Sequence, residues 1–311
     1  MFDQLQYGGY FFAEGVRHVL KIKREIHYDN RLCLDDSHAN LWLKEMVCSA
    51  KPFMAGRFGS GEMRTFLKTR EVRMGLRKTV PEANMDSMCI NAGFFPREQG
   101  QVTAFGDLME ESCKQVDLLA VWGTLPMENY VLRRHVPCAK RCYLSGLEPF
   151  FAEAPWTMSW EGKTVLVIHP FEESIRMQYA HKEAFQKHMR WLPDFTLKTV
   201  KAVQTIGGQK DERFATWFEA LDYMFEKAMR QDFDLAVIGC GAYGFPLAAK
   251  IKAAGKQAVH MGGATQLLFG ITGKRWEAKE EYRQLMAEGW RRPLPAEMPA
   301  AAKNIEGGCY W

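Results

Sequence analysis

A glycine-rich loop in the last third of the chain has the residue spacing of a phosphate-binding turn. Gly239, Gly241 and Gly244 form a Gly-x-Gly-x-x-Gly pattern directly after the apolar run 235–238. Glycines let a backbone approach a diphosphate closely, and the amides at the start of the following helix attract its negative charge. A nicotinamide site would need an acidic residue at the end of the next strand, where this chain has His260. The loop therefore predicts binding of a phosphate or diphosphate, with a ligand-free tight turn as the alternative.

A second group of residues suited to chemistry surrounds Glu62. This residue ends the segment Arg57-Phe-Gly-Ser-Gly-Glu, in which Ser60 would cap a following helix and Glu62 would fall in its first turn. That interpretation is purely structural. The functional alternative makes Glu62 a metal ligand or a general base, with Arg57 holding an anionic group beside it.

Two further clusters carry titratable or cationic side chains. His169 and Glu172 follow the apolar run 164–168, where they act either as a base or ligand or as hydrogen-bonded structural residues. Lys274 and Arg275 follow a glycine-rich stretch. Their charges would fix a diphosphate, unless the two residues form a basic surface turn.

Each of these loops lies between a short apolar run and a helical pattern. Apolar runs without polar alternation indicate strands that are covered on both faces. The five runs are 52–56, 118–123, 164–168, 235–238 and 258–261. The repeated order of strand, loop and helix predicts a Rossmann-like α/β fold, with a mostly parallel sheet flanked by helices. Because such sheets bind ligands beyond the carboxyl ends of their strands, we predict that the loops converge on one cleft.

The composition restricts the protein to an ordinary globular class. The chain has 311 residues, 47% of them hydrophobic and 25% charged, which suits one large α/β domain or about two domains. The formal net charge is +4 and Lys and Arg form no block, so nucleic acid is not an expected partner. Eight scattered cysteines, no signal-like start and no long apolar run predict a cytoplasmic protein with reduced thiols.

The predicted organisation is a helical N-terminal segment, residues 1–50, followed by one α/β domain, residues 51–311. A hinge between two lobes of that domain is expected near 156–162, where a Trp- and Gly-containing segment precedes an apolar run. In the N-terminal segment, apolar residues such as Val16 and Leu20 alternate with basic ones. This pattern is typical of a solvated helix face, and the alternative is peripheral contact with a membrane surface or a partner.

Two of the motifs together resemble a known family. The segment 57–62 and the loop 239–248, Gly-Cys-Gly-Ala-Tyr-Gly-Phe-Pro-Leu-Ala, are similar to those of the GT-D-type glycosyltransferases, a bacterial family long classified only as a domain of unknown function. The stretch 262–276 and the residues 306–311 resemble polysaccharide-biosynthesis relatives of that family. The resemblance extends from about residue 50 to residue 311.

The resemblance implies transfer of a sugar from a nucleotide diphosphate sugar donor to a glycan or lipid-linked acceptor in bacterial polysaccharide or glycoconjugate biosynthesis. It also implies a divalent metal ion, Mn²⁺ or Mg²⁺, bound through an Asp-x-Glu motif within Arg-Phe-Gly-Asp-Gly-Glu. This chain has Ser60 at the first acidic position and keeps Glu62 at the second. Because a hydroxyl is a much poorer ligand for these ions than a carboxylate, the departure weakens the expected metal dependence.

The sequence therefore predicts a cytoplasmic glycosyltransferase, with two alternatives. Ser60 favours a non-catalytic nucleotide or nucleotide-sugar binding protein on the same fold, and the glycine pattern alone favours an NAD(P)-dependent oxidoreductase. The catalytic candidates are His169, Glu172 and Glu62, of which Glu62 is also the metal candidate. The residues predicted to hold the donor are Arg57, Gly59, Ser60, Gly239, Gly241, Ala242, Tyr243, Gly263, Gln266, Lys274 and Arg275.

Overall fold

The described part of the chain is organised around one sheet of seven parallel strands. A computed structural model describes residues 2–20, 33–125, 127–185, 188–299, 308, 310 and 311. The strands are β1 (Phe53–Arg57), β2 (Leu118–Val121), β3 (Lys140–Tyr143), β4 (Thr164–His169), β5 (Thr196–Lys201), β6 (Leu235–Ile238) and β7 (Gln257–His260). Neighbouring strands all pair in parallel, in the order β3-β2-β1-β7-β6-β4-β5.

Helices cover both faces of this sheet. In chain order they are α1 (Phe2–Val19), α2 (Asp36–Ser49), α3 (Ser60–Arg73), α4 (Glu82–Asn91), α5 (Gln99–Cys113), α6 (Glu128–Arg134), α7 (Glu172–Ala180), α8 (Trp217–Met229), α9 (Gly244–Ala253), α10 (Lys274–Glu277) and α11 (Glu280–Arg283). Alternate strand residues point to opposite faces. In β4, Leu166 and Ile168 join the core beneath α3, α5, α8 and α9, whereas Val165 and Val167 join the core beneath α2 and α7. Burial on both faces explains the unbroken apolar runs, and the predicted α/β fold class is confirmed.

The five strands predicted from apolar runs are all present, with bounds that differ by at most two residues. The sequence reasoning missed β3 and β5, which form the two edges of the sheet. Edge strands are covered less completely and therefore carry more polar residues. In β5, for example, only Val200 is fully buried. Such strands lack the apolar signal that identifies the central ones.

The N-terminal segment is helical, as predicted, but it is not a separate unit. Helix α2 packs onto the sheet through Leu43 and Val47, which are buried in the same core as the adjacent strands. The pairing of β1 with β7 joins the two halves of the chain in one sheet. Trp156 and Trp160 are completely buried in this core. The hinge expected between two lobes near 156–162 stays a prediction, although both tryptophans anchor that segment in the core.

The basic amphipathic stretch predicted near the N-terminus is described only in part. Arg17 and His18 lie in the last turn of α1, whereas residues 21–32 lie outside the described residues. No helix in the described part of the chain is long and apolar enough to cross a bilayer. The seven described cysteines are all free thiols, as predicted.

Candidate functional site

A continuous cleft runs along the carboxyl ends of the strands, as the loop pattern predicts. The loops after β1, β2 and β7 form a polar chamber, lined by Arg57, Ser60, Glu62, Trp122, His260 and Arg275. The loops after β4, β5 and β6 form an apolar chamber, lined by His169, Phe171, Val203, Tyr243, Gln266 and Trp311. Asn91, Gly241, Gly263 and Tyr310 border both chambers. The cavity volume is about 100 Å³ in the apolar chamber and about 540 Å³ in the polar one.

Arg57, the last residue of β1, presents its guanidinium to the polar chamber. The group lies over the ring of Trp122, 5.2 Å from its centre. The indole N–H of Trp122 is in turn fixed by a 2.9 Å hydrogen bond to the carbonyl of Phe58. Gly262 leaves room for the arginine, since a Cβ there would lie 3.3 Å from Arg57 Cδ. Stacking on an indole orients a guanidinium while keeping its full charge, so Arg57 is positioned for an anion.

Arg275 brings a second cation to the polar chamber. Its guanidinium lies 4.5 Å from the centre of the Tyr310 ring and donates a 2.9 Å hydrogen bond to the hydroxyl of that residue. Gly263 permits the arrangement, because a Cβ there would lie 2.5 Å from the Tyr310 ring. Lys274 is exposed and lines neither chamber. Adjacent helical residues point in directions about 100° apart, so Arg275 lines the chamber and Lys274 does not. The contact of Lys274 with a ligand stays a prediction.

The start of α3 carries Ser60 and Glu62 into the polar chamber. Gly59 is the N-cap residue and Ser60 is the first helical residue, so the predicted capping by Ser60 is wrong. Glu62 lies in the first turn, as predicted. Its carboxylate folds back against the cap, where any Cβ on Gly59 would collide with Oε2. Gly59 therefore permits a carboxylate position that the helix dipole favours.

The residues around Glu62 do not fit a divalent metal ion. Mn²⁺ and Mg²⁺ bind through several oxygen ligands, usually with more than one negative charge. Glu62 is the single carboxylate lining either chamber among the described residues. The same part of the chain contains no group of three His, Cys, Asp or Glu side chains that could hold a metal. Arg57, Arg64 and Arg275 line this chamber, and their charges oppose a cation and favour an anion.

His169, at the end of β4, lines the apolar chamber in its neutral form. Burial lowers the pKa of its imidazole to about 3. Its Nδ1 accepts a 3.0 Å hydrogen bond from the backbone N–H of Phe171, which leaves the ring proton on Nε2. A ring in this state can donate to a ligand and is a weak base. The role of His169 as a catalytic base stays a prediction, and this geometry favours a hydrogen-bond donor instead.

Glu172 does not line either chamber. It is the first residue of α7, and its Oε1 accepts a 2.7 Å hydrogen bond from the hydroxyl of Thr199 on β5. The carboxylate therefore links α7 to the edge of the sheet at a helix start, where a negative charge is stabilised. The structure separates Glu172 from the cleft, in contrast to the prediction that it acts there as a catalytic group.

Each of the three glycines in the loop after β6 is needed for a different structural reason. A Cβ on Gly239 would lie 2.6 Å from the His169 ring and 2.7 Å from the carbonyl oxygen of Gly262. Gly244 lets α9 pack against the ring of His260, with which a Cβ would collide. Gly241 has a φ of +58°, has open space on its Cβ side and borders both chambers. Of the three, Gly241 is thus the one whose backbone a ligand can approach freely.

Ala242 and Tyr243 pack behind this loop. Ala242 is buried and lines neither chamber, and its contact with the donor stays a prediction. The ring of Tyr243 stacks on Trp217, with centres 4.6 Å apart and planes at 7°. Its hydroxyl lies 3.1 Å from Oγ1 of Thr205. Tyr243 therefore gives the apolar chamber a rigid aromatic wall.

Gln266 and Trp311 carry buried polar atoms beside the apolar chamber. The amide nitrogen of Gln266 donates to the carbonyl oxygens of Thr272 and Ile271, at 3.0 and 3.3 Å. Its Oε1 and the indole nitrogen of Trp311 are both buried without a hydrogen-bond partner among the described residues. Buried polar groups cost free energy until they are paired. The chamber therefore suits a ligand with both donor and acceptor atoms.

Sequence reasoning missed four prominent side chains of the cleft. Trp122 follows the apolar run of β2, so the strand-end rule used for the other loops could have found it. His260 ends β7, where its Nδ1 bonds the carbonyl of Ile238 at 3.2 Å, and burial with the nearby Arg57 lowers its pKa to about 3. Tyr310 and Trp311 reach the cleft from a distant part of the sequence, and no local pattern indicates this.

Comparisons with known proteins return one group of solved structures. No family model and no curated protein matches the sequence. One matching structure is a selenomethionine-substituted "domain of unknown function 1792", with a TM-score of 0.44. The other, described as showing that this domain "has a distinct glycosyltransferase fold", has a TM-score of 0.43. Each shares 12% identity and covers 85% of this chain and 92% of its own.

Proposed function

We propose that the protein is a glycosyltransferase that uses a nucleotide diphosphate sugar. The observation that carries the proposal is the meeting of Arg57, Arg275 and Glu62 in a polar chamber that continues into an apolar one. A nucleotide sugar likewise has a charged part and a less polar part, because a charged diphosphate joins a sugar to a nucleoside with a planar base. The motif resemblance adds sugar transfer to what would otherwise be a nucleotide site.

In this proposal the diphosphate lies in the polar chamber and the nucleoside in the apolar one. Arg57 and Arg275 would face the diphosphate with charge-assisted hydrogen bonds. Gly241, which borders both chambers, would lie beside the link between diphosphate and nucleoside. The base would pack on the aromatic wall and offer its polar edge to His169 and Gln266.

The reaction would join an acceptor hydroxyl oxygen to the anomeric carbon of the sugar. The bond from that carbon to the diphosphate breaks, and the leaving diphosphate keeps the bonding electrons. Arg57 and Arg275 would stabilise the charge that develops on it. Glu62 would receive the hydroxyl proton or orient the hydroxyl. Since the chamber does not fit a divalent ion, no step of this scheme uses one.

The same proposal extends to the acceptor and the compartment. The motif resemblance supports a glycan or lipid-linked acceptor in bacterial polysaccharide or glycoconjugate biosynthesis. The seven described free cysteines support a reducing compartment such as the cytoplasm. The polar chamber holds too few cations for a nucleic acid, which would need a long basic surface.

A nucleotide-sugar binding protein without catalysis is the second candidate. The observation that favours it is the single carboxylate of the chamber, Glu62, beside Ser60. Such a protein would bind the donor in the same place and leave it intact. Measuring binding and donor breakdown separately distinguishes the two candidates.

Isothermal titration with uridine, guanosine and thymidine diphosphates, their sugar conjugates and NAD(H) tests the proposed site. We expect at least one nucleoside diphosphate to bind equally well with EDTA or Mn²⁺, and NAD(H) not to bind. Arg57→Ala should weaken binding by roughly ten- to a hundredfold, because a hydrogen bond to a charged group is lost. Arg230→Ala, in an exposed ion pair with Glu226 at the end of α8, is the matched control and should leave binding unchanged. Equal binding by Arg57→Ala would contradict the proposal.

Glu62→Gln tests catalysis, because it keeps the size of the side chain and removes its charge. For the donor that binds, we expect hydrolysis and transfer to fall about a hundredfold or more, with binding changed much less. Hydrolysis that continues unchanged in this variant would exclude Glu62 as the catalytic group. Binding without any donor breakdown in the parent protein would establish the second candidate instead.

A further inference from the structure

The loop after β2 is held from behind by a buried carboxylate, that of Glu128. This residue is the first of α6 and is only 1% exposed. Its Oε1 accepts a 2.6 Å hydrogen bond from the backbone N–H of Trp122, and its Oε2 accepts a 3.3 Å bond from that of Leu125. The backbone N–H of Gly123 donates to the same carboxylate. Three amides of one loop therefore converge on Glu128.

Burial of the Glu128 charge by itself opposes folding. Burial raises the pKa of this carboxyl, and the hydrogen bonds from the three loop amides counteract the rise. A carboxylate can accept all three bonds because it carries no hydrogen, whereas an amide side chain would turn its own NH₂ group toward a loop N–H. The need for a carboxylate at this position is therefore explained by the loop that it fixes.

The loop that Glu128 fixes carries the indole on which Arg57 stacks. Trp122 is held at two points, through its backbone N–H by Glu128 and through its indole N–H by the carbonyl of Phe58. Its ring centre lies 5.2 Å from the guanidinium carbon of Arg57. A ring that is fixed in this way gives the guanidinium a defined place to stack. Arg57 then loses less conformational freedom when it binds an anion.

The second arginine of the polar chamber has a support of its own. Arg275 stacks on the ring of Tyr310 and donates a hydrogen bond to its hydroxyl. Tyr310 lies far from the β2 loop in sequence, near the residue 311 that ends the described chain. A change at Glu128 should therefore act on the part of anion binding that Arg57 supplies and leave the part that Arg275 supplies.

We propose that Glu128 is a positioning residue for the anion-binding guanidinium of Arg57 and acts through Trp122. The inference rests on the proposed function, in which Arg57 binds the donor diphosphate. Glu128 lines neither chamber, so it does not touch the donor itself. It holds the backbone of Trp122, and the indole of Trp122 keeps Arg57 directed into the polar chamber.

Isothermal titration with inorganic pyrophosphate tests this role, because the probe needs the polar chamber and no nucleoside. Glu128→Gln should weaken binding by roughly three- to tenfold, since its amide group would meet a loop N–H and displace Trp122 from Arg57. The same change made in Arg57→Ala should have almost no further effect, because Glu128 acts only through Arg57. Asp117→Asn is the matched control and should leave the affinity unchanged. Asp117 also accepts a backbone hydrogen bond, at 2.8 Å from Met54, but at the opposite end of β1 from Arg57.

Trp122→Leu tests the same path if circular dichroism shows that Glu128→Gln does not fold. It should weaken pyrophosphate binding by roughly three- to thirtyfold and likewise add nothing to Arg57→Ala.

Two results would overturn the positioning role and leave the proposed function intact. One is unchanged pyrophosphate binding by Glu128→Gln and Trp122→Leu. The other is an equal loss with and without Arg57, which would mean that Glu128 and Trp122 stabilise the whole chamber. A parent protein that does not bind pyrophosphate, or an Arg57→Ala variant that binds it as well as the parent, would overturn both.

Discussion

Residue 60 affects the number of carboxylates at the start of α3. Ser60 begins α3, in the same turn as Glu62 and in the chamber that contains Arg57 and Arg275. An aspartate at this position would give two carboxylates within one helical turn, where the helix dipole helps to hold negative charge. Serine leaves one carboxylate among several guanidinium groups. In the proposed function, arginines therefore bind the donor diphosphate, whereas the resembled family implies that a metal ion does so.

Ser60→Asp should convert the chamber toward metal-dependent binding. Without a metal, the added carboxylate should weaken nucleoside diphosphate binding by roughly three- to tenfold through repulsion. Added Mn²⁺ should restore or exceed the original affinity in this variant, because two carboxylates and the diphosphate supply oxygen ligands. Isothermal titration with EDTA or Mn²⁺ measures both effects.

The control for this change is Ser87→Asp, which adds the same charge elsewhere in the polar chamber. This variant should lose affinity in the same way without gaining a response to Mn²⁺. A parent protein whose nucleotide binding already depends on Mn²⁺ would show that the arginines do not replace the metal ion.

The loop between β6 and α9 shows how one glycine pattern serves several purposes. Gly239 lies against the ring of His169 and Gly244 against the ring of His260. A side chain at either position would prevent this close packing. Only Gly241 combines a positive φ with open space at the cleft. The sequence pattern is therefore mostly a requirement of the fold, and one of its positions is suited to ligand contact.

Alanine substitutions at this element should differ in cost. Gly244→Ala should lower the free energy of unfolding by about 2 to 3 kcal/mol, because the new Cβ collides with the buried His260 ring. Gly241→Ala should lower it by only about 1 kcal/mol, since the strain comes from the positive φ without a collision. Urea denaturation of each variant provides the comparison.

Gly100→Ala is the matched control for this series. Gly100 lies in α5 with no atom within 4 Å of a built Cβ, so alanine there should stabilise the helix by up to about 1 kcal/mol. Equal losses at Gly241 and Gly244 would mean that α9 moves away from His260 without cost.

The topology of the whole sheet creates the cleft. After β4 the chain crosses to β5 on one side, whereas after β6 it returns to β7 on the other side. Connections that leave in opposite directions open a crevice at the carboxyl ends of the two strands. The apolar chamber lies at this crevice, between the loop at His169 and the loop at Gly241. Its place follows from the order of the strands.

Two buried neutral imidazoles should make the molecule sensitive to mild acid. Burial lowers the pKa of His169 and of His260 to about 3, whereas both would titrate near about 6.5 in the unfolded chain. The unfolded chain then binds protons that the folded protein does not, so stability is complete above about pH 6.5 and falls as the pH is lowered toward 3. Between pH 6 and pH 5 we expect a loss of about 2 to 3 kcal/mol from the pair.

Urea denaturation at about pH 7, 6 and 5 measures this loss in a range where most carboxylates stay ionised. His260→Asn keeps a donor near the carbonyl of Ile238 and should remove about a third of the dependence. The buried ring of His135, whose pKa burial lowers to about 4, contributes in the same pH range. Stability that stays constant between pH 6 and pH 5 would show that both rings accept protons in the folded protein.

Much of the site was predictable from residues close in sequence, because each loop follows an apolar strand. Arg57, Glu62 and Gly241 were predicted as cleft residues and line it. Glu172 and Lys274 were predicted there and lie elsewhere. A residue next to a strand end can point into the cleft or away from it, and the choice depends on packing that local sequence does not record.

The sequence by itself determined the α/β class, the central strands and the loops that meet at their carboxyl ends. These features follow from local hydrophobic periodicity and from the conformational limits of glycine. Only the tertiary structure decided that Trp122 and Tyr310 orient the two arginines and that His169 is buried and neutral. Each of these depends on contacts between residues far apart in the chain, whose energies no local pattern contains.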